Sequence, residues 1–379
     1  MRSWLAVCLV AALCLGACSD EDPGGSPAEV GVLSDAGTDS AAVPDAGLSV
    51  SAMTFSAPAS WAKPIDDYIA AGKAKLGHEK FERAIHDLVV HEGRLYLGYG
   101  DATYNLGRIT PIEMRSFASP ASTSINKEFT TQEEHLEQFR ILDGDLVMAG
   151  IDATEDAWLG NVYAKPRGKA WFKSRTLKQG VHVHDCVTFG GAWYAVGSGA
   201  TQAEWTASNI HSILWKSADR GATFKVFDRR SNQKVGDIRW IRLLPVGKTL
   251  WMFGYHSDNA GNPTELINAT FDGAKRTDLT STHTLHNAWV LETHPISATL
   301  GIARGVKILT VPKLIWSTWA VDDKGAVKQV AGLANKRVLD IYSVPESGEH
   351  LVLTHDEAEV EKIKLLKQFK LRVQVTHDF

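Results

Sequence analysis

From residue 85 onward the apolar positions fall into short runs, many alternating with polar residues and separated by turns rich in Gly, Asp and Pro. Runs of this kind read as strands. Six of them open a recurring plan, at 87–91, 138–142, 185–189, 240–244, 289–293 and 340–344, and their starts lie 51, 47, 55, 49 and 51 residues apart. After a turn, a second run follows, as in Asp145-Leu-Val-Met-Ala-Gly150, Ala192-Trp-Tyr-Ala-Val-Gly197 and Thr249-Leu-Trp-Met-Phe-Gly254. The fifth repeat is the poorest, with 298–303 in place of an aromatic run. A sheet-forming unit that recurs every fifty or so residues cannot bury its own faces and must stack on its neighbours. The pattern predicts an all-β fold, a β-propeller of six four-stranded blades over 85–379. Upstream, Trp61, Ile65, Tyr68, Ile69 and Leu76 recur at helical spacing, which predicts a short lead-in helix within 59–84.

The first residues follow another plan. Arg2 precedes an apolar run from Trp4 to Leu15, and Leu15-Gly16-Ala17-Cys18 closes it. A basic start followed by a short apolar stretch is the layout of a secretory signal, and the run stops short of the roughly twenty residues that span a bilayer. The tetrapeptide resembles the bacterial lipobox. That resemblance implies a signal peptide over 1–17, acylation of Cys18, and a lipid bilayer as partner. Ser19 rather than Asp follows the cysteine, which by the same resemblance implies a cell-envelope protein of the outer membrane. Over 18–58 the composition shifts to Asp, Ser, Gly, Ala and Pro, with Asp-Ala-Gly at 35–37 and again at 45–47. Such a segment buries too little apolar surface to fold, and reads as a flexible tether.

Composition narrows the function classes. A formal net charge of −4 over 379 residues, with no basic stripe, argues against nucleic acid as a partner. Of the 4 cysteines, Cys8 and Cys14 leave with the signal and Cys18 is acylated, so Cys186 has no disulfide partner in the folded domain. Set in the apolar run 183–189, it reads as a buried, inert thiol. The chain carries neither a Gly-rich phosphate loop nor a Gly-x-Ser-x-Gly elbow.

The third repeat contains Ser217-Ala-Asp219-Arg-Gly221-Ala-Thr223-Phe224. Ser217 and Asp219 suit the amides of a tight turn, Gly221 supplies a positive φ, and Phe224 packs into the sheet. This stretch resembles the Asp box of sialidase-like propellers, and Asp272-Gly273 and Asp323-Lys-Gly325 occupy comparable turns. The resemblance implies a propeller blade and a structural staple, not an activity. A sialidase grips a carboxylate with three arginines, and nothing in the placement of Arg94, Arg108, Arg140, Arg239, Arg242 and Arg304 selects such a triad.

Propeller geometry puts the loops entering first strands and those leaving second strands on one face. The first set supplies His86, Asp87, Gln138, His184, Asp185, Arg239, Trp240 and Asp340; the second supplies Asp101, Tyr104, Asn105, Asp152, Glu155, His256, Asp258, His355 and Asp356. A mouth so lined suits a carbohydrate or protein ligand, and a divalent cation is the cofactor its oxygen atoms admit. Asp87, Asp185 and Asp101 are the candidate catalytic carboxylates if the site does acid–base work. The recurrence of His86-Asp87 as His184-Asp185 favours a structural repeat over a catalytic pair. The polar run 100–107 is the strongest candidate for a functional loop. His182 and His184 share one side of a strand, a zinc-like pair without a third ligand, so no metal site is assigned. The charge run 357–370 reads as outer strands of the last blade. The leading expectation is a lipid-anchored envelope protein whose propeller face binds a ligand. The alternatives are a polysaccharide-degrading glycoside hydrolase or lyase, and a structural component of an envelope complex.

Overall fold

The computed structural model describes residues 85–376 apart from 100–111, 120–121, 134, 152, 156–157, 207–208, 232–235, 259–262, 311–312, 335, 344–349 and 357–371. The signal peptide, Cys18, the tether, the lead-in helix and the 357–370 strands expected from the sequence therefore lie outside the described residues.

The described strands group into successive antiparallel units. The first holds β1 (Ile85–His91), β2 (Arg94–Tyr99), β3 (Glu113–Phe117) and β4 (Asn126–Thr130); the second β5 (Phe139–Leu142), β6 (Asp145–Ala149), β7 (Leu159–Lys165) and β8 (Phe172–Lys178). In the third are β9 (Gly180–Phe189), β10 (Ala192–Gly199), β11 (Asn209–Ser217) and β12 (Lys225–Arg230), with a one-turn helix α1 (Gln202–Thr206) between β10 and β11. The fourth comprises β13 (Gly236–Val246), β14 (Thr249–Ser257), β15 (Pro263–Leu266), β16 (Ala269–Phe271) and β17 (Arg276–Asp278). The fifth runs through β18 (Ala288–Pro295), β19 (Leu300–Thr310), β20 (Lys313–Asp322) and β21 (Val327–Gln329); the sixth through β22 (Lys336–Ser343), β23 (His350–Asp356) and β24 (Arg372–Thr376). Tight hairpins start the first three units: Glu92-Gly93, Asp143-Gly144 and Gly190-Gly191 all have positive φ at both positions, the turn that matches strand twist. A short parallel pairing, Asn209 with Gly236 and Ile210 with Asp237, links the third unit to the fourth.

The core explains why the units need one another. Its apolar clusters lie between neighbouring units, not within them. Tyr96, Met114 and Phe117 of the first unit pack with Phe139, Met148 and Trp171 of the second. Leu142 and Val162 meet Trp193, Trp215 and Phe224 across the next seam, and Tyr194 and Leu214 meet Trp240, Leu243 and Phe271 across the one after. Two further clusters join the fourth unit to the fifth and the fifth to the sixth. Each large side chain so buried contributes roughly 1.5–3 kcal/mol. First strands of the first five units touch in succession along the chain, and Arg140 of the second unit reaches the Thr293 carbonyl of the fifth at 2.6 Å. Units stacked side by side whose first strands also meet across the middle form a β-propeller.

One irregularity recurs and sets the geometry of the centre. The register skips one residue in five of the first strands: His86 in β1, His184 in β9, Ile241 in β13, Leu291 in β18 and Leu339 in β22. A bulge of this kind bends the strand and re-aims the next side chain. That next residue is charged every time: Asp87, Asp185, Arg242, Glu292 and Asp340. Where the bent strand presses on its partner, the second strand carries glycine. A Cβ on Gly197, Gly254 or Gly305 would stand 1.9, 2.0 or 2.0 Å from the carbonyl oxygens of His182, Arg239 and Trp289.

Two sequence expectations change. The second strand of the fifth unit is β19, eleven residues long, rather than a weak 298–303. The lengthened turn between β18 and β19 shifts the apolar pattern, which is why the repeat reads poorly there. In the turn near 323 the capping side chain is Asp322, whose Oδ1 accepts from the amides of Lys324 (3.0 Å) and Ala326 (2.8 Å), and not Asp323.

Candidate functional site

The residues after the bulges meet at the centre of the ring as a network of alternating charge. Arg140 grips Asp185 at two points, Nε to Oδ1 at 3.0 Å and Nη2 to Oδ2 at 2.8 Å. The Asp185 carboxylate also accepts the amides of Cys186 (2.8 Å) and, from the next unit, Leu243 (2.9 Å). Arg242 donates to Glu137 at 3.0 Å and to Glu292 at 3.2 Å. Arg304 reaches the Val338 carbonyl at 2.5 Å and His294 at 3.2 Å. Asp87 accepts the Phe139 amide at 2.7 Å, so both Asp87 and Asp185 tie their strand to the next unit.

The carboxyls of this network are driven apart. Burial pushes the Asp87 pKa up to about 7, and the nearby charges of Glu292 and Asp340 reinforce it. Burial acts the same way on Glu292, yet the Arg242 and Arg304 guanidiniums beside it hold its pKa at about 2. Burial and the Arg304 charge lower His294 to about 3. A carboxyl ready to hold a proton near one that stays ionised is a pairing suited to acid–base chemistry.

Of the other residues singled out from the sequence, Asp101, Tyr104, Asn105 and Asp152 lie outside the described residues. For His86 and His355 the structure gives the backbone alone, in β1 and β23. Trp240 is fully buried between the third and fourth units, with the Arg230 and Arg276 guanidiniums 5.8 and 6.0 Å from its ring. His256 is buried and its Nδ1 lies 2.8 Å from Thr264 Oγ1, while Asp258 follows β14 half-buried. The His184 ring stacks on His182, centroids 5.9 Å apart, and His182 Nδ1 lies 2.9 Å from the Ile151 carbonyl. Among the described residues, no group of three His, Cys, Asp or Glu is placed to hold a metal ion.

The stretch 217–224 folds as a closed staple. Ser217 Oγ donates to Asp219 at 2.7 Å and accepts the Gly221 amide at 2.8 Å; Asp219 accepts the Thr223 amide at 2.9 Å and its hydroxyl at 2.6 Å. Gly221 has φ +82°, and a Cβ there would lie 2.6 Å from the Trp193 ring. Ser217, Asp219, Gly221, Thr223 and Phe224 all act within the fold.

A second feature lies where the loops leaving second strands gather. In α1, Thr201 and Glu204 form a capping box: the Thr201 amide donates to Glu204 Oε2 at 2.8 Å and the Glu204 amide to Thr201 Oγ1 at 3.3 Å. The cap fixes α1 so that Trp205, 41% exposed, sets its ring centroid 5.4 Å from that of Trp158. Beside them is a cavity of about 160 Å³ lined by Ala153, Glu155, Trp158, Leu159, Gly180 and Val181. Lys173 Nζ at 2.6 Å and Arg175 Nη1 at 2.9 Å hold the Glu155 carboxylate in place. An exposed indole, Trp205, set against the half-buried Trp158 beside an oriented carboxylate can stack a sugar ring and bond its hydroxyls. Glu155 was within reach of the sequence rule for second-strand loops; Trp158 and Trp205 were missed because the rule was applied only to the first residues of each loop.

No family model matches the chain, and no curated protein matches it. Among solved structures, the β-propeller domain of the Trilobed protease from Pyrococcus furiosus is similar at 10% identity and TM-score 0.42, covering 73% of this chain and 79% of that one. An ancestral GH74 enzyme is similar at 10% identity and TM-score 0.45, over 76% of this chain and 40% of the enzyme. A putative TolB from Agrobacterium tumefaciens is similar at 13% identity and TM-score 0.39, over 67% and 80%. Nothing about the chemistry of this chain follows from likenesses at these levels.

Proposed function

We propose that this chain is a lipid-anchored envelope protein whose propeller binds a carbohydrate at the Trp158–Trp205 ledge. The observation that carries the reading is the pairing of exposed Trp205 with half-buried Trp158 beside a cavity whose one carboxylate is already oriented. Anchoring rests on the lipobox-like Leu15-Gly16-Ala17-Cys18 and on the polar tether behind it, with the outer membrane as the proposed location. A glycan array and calorimetry on the full chain in detergent test the binding. Trp205→Ala and Trp158→Ala each weaken it about tenfold or more, the loss of roughly 1.4 kcal/mol of stacking. An empty array, or equal binding by both variants, overturns the reading. Cys18→Ser moves the protein from the membrane to the soluble fraction; if it stays in the membrane, the acyl anchor is wrong.

A second reading is glycoside hydrolysis at the centre of the ring, with Asp87 as general acid and Glu292 as base. The separation of their pKa values, about 7 against about 2, favours it. It requires release of reducing ends from a polysaccharide, and loss of that release without loss of binding in Asp87→Asn.

A further inference from the structure

We infer that the cavity beside the Trp158–Trp205 ledge takes the acetamido group of an N-acetylated sugar whose ring stacks on Trp205. The inference rests on the glycan reading above and names the substituent that reading leaves open.

The cavity can be reached from solvent. Of its lining residues only Gly180 is buried, whereas Ala153, Glu155, Trp158, Leu159 and Val181 are half-buried. At about 160 Å³ it is smaller than the roughly 300–1,000 Å³ that encloses a drug-sized ligand, so it suits a substituent of a stacked sugar better than the ring itself. Its walls are fixed before anything binds. The Gln179 amide donates to the Trp158 carbonyl at 2.7 Å and the Ala200 amide to the Gln179 carbonyl at 2.9 Å, which ties together the strand ends that carry Trp158, Gly180 and α1. The Thr154 amide donates to the Gln132 carbonyl at 2.8 Å and holds the segment that carries Ala153 and Glu155.

Two chemistries meet inside. Ala153, Leu159 and Val181 offer methyl groups, and Glu155 is the one charged residue of the lining. Its Oε1 accepts from Lys173 at 2.6 Å, and its Oε2 from Arg175 at 2.9 Å and Asn161 Nδ2 at 3.2 Å. A carboxylate has about four acceptor positions, and the Glu155 side chain is 27% exposed, so one more donor can be accommodated. That donor is uncharged. Among the described residues of this network, Lys173 and Arg175 balance Glu155 even with the buried Glu133 carboxyl counted, which Asn161 links to it; an ammonium finds no net negative charge. An acidic group would meet Glu155 itself. The sugar substituent that ends in a methyl group and carries a neutral N–H is acetamido, with its methyl against the aliphatic wall and its N–H on Glu155. Trp158 lines the cavity and sets its ring centroid 5.4 Å from that of Trp205, so a ring stacked on Trp205 has the cavity one indole away.

The test compares, by calorimetry on the full chain in detergent at mildly acidic pH, the β-1,4 tetrasaccharides of N-acetylglucosamine, glucose and glucosamine, which differ only at the second carbon. The acetylated sugar binds at least about tenfold tighter than either of the others. Ala153→Leu and Val181→Phe fill the cavity and each bring the ratio of acetylated to glucose affinity to about one, whereas Trp205→Ala weakens all three sugars and keeps the ratio. Saturation-transfer NMR on the parent protein needs no variant: the acetyl methyl protons receive transfer as strong as the protons of the stacked ring. Equal affinity for the three sugars, tighter binding of the glucosamine sugar, an unchanged ratio in both folded cavity variants, or a silent acetyl methyl overturns the inference while the glycan reading stands. If none of the three binds, the inference is overturned, and the glycan reading falls with it only if the glycan array is empty as well.

Discussion

Arg140 and Asp185 face each other across the boundary between the second and third units with two parallel N–H···O bonds, and Arg140 continues past Asp185 to Thr293 on the fifth unit. Arg140 thus spans from one unit to the far side of the ring. The Asp185 side chain is 1% exposed, so neither partner recovers hydration if the other is removed. Asp185→Asn is expected to lower stability by about 3–5 kcal/mol, the usual loss when a buried pair is broken on one side. The double replacement Arg140→Met with Asp185→Leu costs less than the two single losses added together. Urea denaturation of the parent, Asp185→Asn, Arg140→Met, Asp185→Leu and the double variant measures both effects.

Asp87 makes stability depend on pH in an unusual direction for a carboxyl. Its folded pKa of about 7 stands above the ordinary 3.8, so between pH 4 and 7 the folded chain holds a proton that the unfolded chain has lost. Stability from this group is therefore full below about pH 4 and falls as pH rises to 7, by at most about 4 kcal/mol. In Asp87→Asn that fall disappears. Urea midpoints across pH 4.5–7.5, compared between the two proteins, show the difference; parallel curves would mean that Asp87 is ionised in the fold.

Gly254 faces a bulge that leaves no room for a side chain. A Cβ would meet the Arg239 carbonyl oxygen at 2.0 Å, a backbone atom unable to swing away. Gly254→Ala is expected to cost about 1–3 kcal/mol or more and to shift the β13–β14 register. Gly93→Ala, with nothing within 4 Å of its Cβ, meets only the strain of a positive φ and costs about 1 kcal/mol. Thermal unfolding ranks the two.

Asp219 is a staple rather than a ligand contact. Its carboxylate accepts three bonds from Ser217 and Thr223, so Asp219→Ala lowers stability by about 1–3 kcal/mol and leaves glycan affinity unchanged. Reduced affinity in a fully folded variant would move this turn into the binding site.

The first strands were legible in the sequence because each combines a short apolar run with a fixed spacing; β5 and β18 fall within a residue or two of the expected 138–142 and 289–293. The bulges were not, since one extra residue in a strand leaves no mark on an alternation only a few residues long. The charge network was hidden for another reason. Arg140 and Thr293 are 153 positions apart, and no local pattern pairs them; Glu292 looked like one more polar residue in the repeat that read worst. Asp87 and Asp185 were visible as a recurring His-Asp pair. That recurrence fits what the structure gives them to do, since each accepts an amide of the adjoining unit.

The skipped residue in each bulged strand stands opposite no neighbour on the paired strand. His86, His184, Ile241, Leu291 and Leu339 can therefore be exchanged without rewriting the ladder that holds the sheet together. In five of the six first strands a change of residue type at this one position therefore leaves the pairing with the second strand as it was.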